Sequence, residues 1–249
     1  PLPRFESKTF PPRWGQPCDS STKTANNQNT STERSDLITP DTESKHVHAV
    51  YDAIATQWHH TRGKRGVLWA GATQFLEHLP PGSLVADVGC GDGKYFSAIL
   101  GANSYVLGTD ISEPLLRTAA ITRGGNEGKS NMTVEGPQYQ LLPEEKHALT
   151  TNPATAVADC IHLPIRTGSC DAAICIAVMH HLSTEGRRIR CLSELARIVK
   201  VGGLINVQAW ALEQENDSKR KFHGTDVLVP FNAQPKYLQA STQKDEESN

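Results

Sequence analysis

An α/β fold on a doubly wound, mostly parallel sheet is predicted by three features of the 249-residue sequence. Short apolar runs alternate with helical patterns, a glycine-rich loop joins the first run to a helix, and aspartates close successive runs. Helical periodicity begins at His46, where Val47, Val50, Tyr51, Ile54, Ala55 and Trp58 recur three or four apart and form one apolar face. Ser44 stands where a cap for this helix is expected. A second helical pattern covers 67–79 and stops at Pro80-Pro81-Gly82. Residues 83–88 read as a buried strand, followed at once by Gly89-Cys90-Gly91-Asp92-Gly93 and a helix-compatible stretch from Lys94. The alternation continues with a strand at 105–109 ending on Asp110, a helix at 113–121, and strands at 154–158 and 171–178. A helix at 185–200 carries Ile189, Leu192, Leu195 and Ile198 at a spacing of three; Val201-Gly202-Gly203 ends it, and a fifth strand follows at 204–210.

Around this domain, taken as 45–231, composition sets the limits. Residues 1–44 are rich in Ser, Thr, Asn and Pro and bury too little apolar area to offset their ordering entropy, so disorder is expected there. The stretch 123–152 reads as a loop insertion and 232–249 as a polar tail. The 25 basic side chains against 27 acidic ones exclude a globally basic nucleic-acid coat. No apolar run is long enough for a membrane helix, and the start has no apolar signal core, which predicts an intracellular protein with no membrane partner. The cysteines form no C-x-x-C pair and read as buried thiols; the histidines, adjacent or one apart, do not converge as metal ligands do, so no metal site is expected.

The glycine loop decides between cofactors. A dinucleotide fingerprint starting at Gly89 and Gly91 needs its third glycine at position 94, which is Lys. The loop instead reads Asp87-x-Gly89-x-Gly91-x-Gly93, the pattern of class I S-adenosylmethionine (SAM) methyltransferases. Gly89 and Gly91 let the backbone approach an amino-acid zwitterion with an adenosine attached, while Asp87 can orient the loop or meet the ammonium. Asp110 stands where a carboxylate accepts from both ribose hydroxyls, and Asp159, closing the third strand, could accept from the adenine exocyclic amine.

The resemblance extends beyond the cofactor. The segments His46-Val-His-Ala-Val-Tyr51, Ala86-Asp-Val-Gly-Cys-Gly-Asp-Gly-Lys-Tyr95, Ile176-Ala-Val-Met-His-His181, Trp210-Ala-Leu-Glu-Gln214 and Asp226-Val-Leu-Val-Pro-Phe231 are similar to the tRNA wobble-uridine carboxymethyl methyltransferases. That resemblance implies a Rossmann-like fold and methyl transfer from SAM to the carboxylate of 5-carboxymethyluridine in a tRNA anticodon stem-loop. It adds Ile176 to the cofactor residues and implies a small zinc-binding activator subunit as partner, in the cytoplasm and nucleus. A carboxylate acceptor is ionised at neutral pH and needs no general base, so the expected catalytic residues are cations and donors: Arg62 and Lys64 at the family's R-x-K, His181 and Arg187. Arg188, Arg190 and the run 219–221 could meet the RNA backbone. Past Asn232 the family's further helix and closing strands have no counterpart, so the C-terminal strands of the sheet are expected to be missing. Two other readings share this fold: a SAM methyltransferase of another substrate, and an idle SAM-fold module that acts by binding.

Overall fold

The computed structural model describes residues 37–62, 68–124, 153–214, 216, 218, 221–224 and 226–231. Five strands form one parallel sheet in the order β3-β2-β1-β4-β5: β1 Leu84–Val88, β2 Tyr105–Asp110, β3 Ala154–Val157, β4 Cys170–Ile176 and β5 Val199–Gln208. The order steps outward from β1 in both directions, the doubly wound arrangement that places a ligand crevice at the strands' carboxyl ends. β3 lies at one edge of the sheet among the described strands. Alternate residues of β1 and β4 divide between two cores. Val85, Ala172, Ile174 and Ile176 pack with Leu76 and Ile99 on one face, while Ala86, Val88, Ala173 and Cys175 pack with Leu195 and Ile198 on the other. Burial on both faces is why these central strands read as unbroken apolar runs.

The helices are α1 Asp41–Glu43, which runs through a π turn, Ser44–His48, into α2 Ala49–Arg62; then α3 Ala70–Glu77, α4 Phe96–Gly101, α5 Glu113–Gly124 and α6 Glu185–Ile198. Of the boundaries that differ from the sequence expectation, three have a physical reason on view. The first helical segment starts at Asp41, not at Ser44, because Pro40 holds the extended conformation of an N-cap (φ −63°, ψ 148°), while the Ser44 hydroxyl donates back to the Pro40 carbonyl. Residues 37–44 are therefore part of the folded structure, with Glu43 buried; 1–36, the rest of the stretch expected to be disordered, lie outside the described residues. The third difference is at β5, which begins at Val199 rather than 204, so α6 stops at Ile198. Val199 pairs with Cys170 before a bulge resets the register to Ala172 against Leu204. Most of the expected insertion, 125–152, and the tail, 232–249, also lie outside the described residues. No helix among those described is long and apolar enough to cross a membrane.

Candidate cofactor and acceptor site

β1 delivers Asp87 to the start of the glycine loop, where its side chain is buried. Asp87 Oδ2 has no hydrogen-bond partner among the described residues, and burial, with Asp110 nearby, pushes the carboxyl up to about 8. The loop leaves β1 by three left-handed residues, Gly89, Gly91 and Gly93 (φ 74°, 56° and 76°). Gly89 is required twice over: a Cβ there would lie 2.2 Å from Val178 Cγ2, and its backbone conformation disfavours any L side chain. The amides of Gly89 and Cys90 both donate to the Thr109 carbonyl at 2.7 and 2.9 Å, which fastens the loop to the end of β2.

Asp110 is the hub of the next layer. Its Oδ2 accepts from the Gly91 amide at 2.8 Å and its Oδ1 from the Ser112 amide at 2.9 Å. Each oxygen keeps a second lone pair, so a vicinal diol can be bound without breaking either bond. Burial raises its carboxyl's pKa, against the pull of those two amides. Ser112 in turn donates through its hydroxyl to Asp52 of α2 at 2.6 Å. Asp159 closes the arc beyond β3: its Oδ1 accepts from the Ile161 amide at 3.1 Å and its Oδ2 from Arg187 Nη2 at 3.1 Å. An uncompensated buried carboxyl, a diol acceptor and a third carboxylate, in strand order around a loop with no room for a Cβ at Gly89, fit a cationic amino acid joined to an adenosine. Asp87, Gly89, Gly91, Gly93, Asp110 and Asp159 are the residues that would hold it, and the buried Ile176 ends β4 beside them.

The other side of the crevice is made of rings. β4 ends at Ile176, Ala177 turns the chain at φ 62°, and a 3₁₀ turn, Met179–His181, presents two imidazoles. His180 stacks on Trp210 (centroids 4.6 Å, 8°), and its Nδ1 accepts from the Trp210 amide at 3.3 Å. Trp210 stacks in turn on Phe222 at 6.0 Å. His181 Nε2 pairs with the Tyr51 hydroxyl at 3.0 Å, Tyr51 meets Trp58 edge-on, and Trp58 meets Phe231 at 6.1 Å. Burial, first of all, lowers both histidines to about 4, so both imidazoles are neutral at pH 7.

The predicted catalytic set is only partly assembled. His181 stands beside the crevice. Arg62 closes α2, but its side chain, like Lys64 altogether, lies outside the described residues. Arg187 does not face an acceptor: it is 1% exposed, its Nε donates to both oxygens of Glu43 at 3.1 and 2.9 Å, and its Nη2 reaches Asp159. A guanidinium bound to two carboxylates has no charge left for a substrate anion, and its buried site excludes one. Arg188 and Arg190, expected on an RNA-facing surface, donate to the Leu182 and Ile161 carbonyls. Sequence reasoning missed Glu43, Tyr51, Trp210 and Phe222 as site residues; the family-like segments ending at Tyr51 and starting at Trp210 carried a hint of those two.

A methyltransferase domain family matches residues 86–207. The tRNA (carboxymethyluridine(34)-5-O)-methyltransferase of Arabidopsis thaliana is 39% identical over 180 residues, covering 72% of this chain and 36% of that protein. The Saccharomyces cerevisiae protein of the same name is 38% identical over 194 residues, 76% of this chain and 57% of its own length. The chain carries a methyltransferase domain and is similar to these tRNA methyltransferases. It spans about a third of the plant relative and just over half of the yeast one. A solved complex of the Haloferax volcanii Trm112 methyltransferase activator with a methyltransferase aligns over 68% of this chain and 60% of that one, at 17% identity and a TM-score of 0.40, too distant to weigh further. SAM is the cofactor of the family, and the carboxylate arc fits it.

Proposed function

We propose that this methyltransferase esterifies the carboxylate of 5-carboxymethyluridine at the wobble position of a tRNA anticodon stem-loop, giving the methyl ester. When bound, SAM supplies the sulfonium methyl. The observation that carries the reading is the pairing of a cofactor arc of carboxylates with an acceptor wall of rings that holds no base titrating near neutrality. His180 and His181, lowered to about 4, are neutral at pH 7 and too weakly basic to serve as general bases, which an ionised carboxylate acceptor does not need. Such a wall suits an acceptor that arrives already ionised and carries a flat nucleobase: the Trp210–Phe222 stack offers an aromatic platform of the kind unpaired bases stack on. The Trp210 amide fixes the His180 tautomer by donating to Nδ1, which leaves Nε2–H as a neutral donor. The relatives' shared name supports the same substrate.

The partner reading extends to a small zinc-binding activator subunit. β3 pairs with β2 alone among the described strands, and Ala154, Thr155 and Val157 are exposed along it. A bare parallel edge is a place for another chain to add, and left open it favours aggregation. The deciding experiment for function is mass spectrometry of tRNA nucleosides from cells with and without the gene. Loss of the gene is expected to deplete the methyl ester and accumulate carboxymethyluridine; unchanged levels of both would overturn the reading.

A further inference from the structure

The mechanism leaves one buried ionic group unused. Glu43, Arg187 and Asp159 form a chain of three charges that joins the first helical segment to α6 and to the end of β3. Glu43 and Arg187 are each 1% exposed, while Asp159 is 22% exposed, so the interior pair is shut off from water and the third charge opens to the surface. The Glu43 Oε1 also accepts from the Ser183 amide at 2.7 Å and hydroxyl at 2.8 Å. That is a large investment in one carboxylate. Burying an ion pair is no gain in stability over apolar packing, so a role beyond packing is worth seeking.

We propose that Glu43 and Arg187 are positioning residues that set how strongly Asp159 accepts a hydrogen bond from the adenine amine, a role that rests on SAM being the cofactor. One cation shared between two anions leaves one net negative charge. Because Glu43 takes the Nε donor with both of its oxygens, Arg187 is largely neutralised on its inner side and meets Asp159 through Nη2. The surplus charge then resides on the exposed carboxylate. The Ile161 amide and Arg187 hold that carboxylate from opposite oxygens, which fixes its rotation while each oxygen keeps a lone pair for a ligand. An acceptor so charged favours an exocyclic amine and repels a carbonyl at the same ring position.

The two buried partners therefore act with opposite sign, and a merely structural role would not make them do so. Calorimetric titration with S-adenosylhomocysteine and S-inosylhomocysteine, which differ in the 6-amino and 6-oxo groups, reads this directly. The unaltered protein should prefer the adenine ligand by about tenfold or more, the scale on which a polar mismatch is rejected. In Glu43→Gln, Arg187 turns its whole charge on Asp159, and the preference should fall below about threefold. In Arg187→Lys, a single ammonium stays with the buried Glu43 and Asp159 loses its cation, so the preference should rise by about threefold or more. A Glu43→Gln protein that loses both ligands by the same factor overturns the relay, as does an Arg187→Lys protein whose preference stays level or falls. Should Glu43→Gln fail to fold, Arg187→Lys alone decides. An unaltered protein that binds neither ligand would instead overturn the cofactor reading itself.

Discussion

Where β1, β2 and β3 end, the crevice is lined by carboxylates held in place by backbone amides; beyond β4 and β5 it is lined by rings held in place by other rings. Asp110 takes an amide on each oxygen and Asp159 one, with bonds of 2.8–3.1 Å that leave neither group free to rotate. His180, Trp210 and Phe222 touch through centroids 4.6 and 6.0 Å apart, contacts that tolerate sliding. The cofactor is the same in every turnover and rewards fixed charge, whereas the proposed acceptor, a nucleotide of an RNA loop, needs a surface that accepts a flat ring. The two halves also answer to different parts of the chain, since the loop and its carboxylates follow the consecutive strands β1, β2 and β3 while the ring wall gathers 51, 58, 180, 181, 210, 222 and 231.

The largest effect that would break this division is expected at Asp110. Asp110→Ala removes two acceptors for the ribose and frees the Gly91 amide, and SAM should bind more weakly by about 2–4 kcal/mol. Binding of an anticodon stem-loop should be unaltered. Calorimetry with each ligand checks both halves, and an affinity for SAM within threefold of the unaltered protein would reduce Asp110 to the role of loop anchor.

That asymmetry also explains what could be read in the sequence. Asp87, Asp110 and Asp159 were legible because the βαβ pattern places each at a strand end, and the glycine spacing ties them to one ligand. Arg187 was legible only as a cation: nothing in its neighbourhood shows that Glu43, 144 residues away, claims it. The start of β5 at Val199 was hidden because Ile198 completes a helical spacing of three, while the β-branched Val199 takes up the sheet only where Cys170 offers a partner. Tertiary pairing of this kind leaves no period behind.

On the ring side the effect should be smaller and separate. Trp210→Ala removes the stacking face between His180 and Phe222, and stem-loop affinity should fall by about 1–3 kcal/mol, the range for one base on one aromatic side chain. SAM affinity should stay within twofold. Fluorescence anisotropy of a labelled stem-loop measures the first. A variant that loses both ligands would show that the rings support the fold of the cofactor half instead of serving the acceptor.

The smallest effect sharpens the contrast most, because the two halves titrate with opposite sign. Asp87 is raised from 3.8 to about 8, so its contribution to stability is present below pH 4 and is lost as the pH climbs through 8; Asp110, raised in the same direction, adds to it. His180 and His181 are lowered from 6.5 to about 4, so theirs is present above pH 6.5 and is lost as the pH drops through 4. The carboxyls of Asp171, which pairs with Lys200, and of Glu194, which pairs with Arg197, are lowered from 3.8 and 4.5, so their contribution is lost at and below the acid end of that range. Between pH 4 and 6.5 the two trends therefore oppose each other in the unaltered protein. Asp87→Asn leaves the histidine trend dominant, and the melting temperature should fall as the pH is lowered from 6.5 to 4. The double variant His180→Gln with His181→Gln leaves the aspartate trend, and the melting temperature should fall as the pH is raised from 4 to 8. Each kcal/mol that such a group contributes should move the melting temperature by about 2–4 °C in a domain of this size. Melting curves across that range decide it: if both variants keep the pH profile of the unaltered protein, the buried carboxyl and the imidazoles do not govern their two faces.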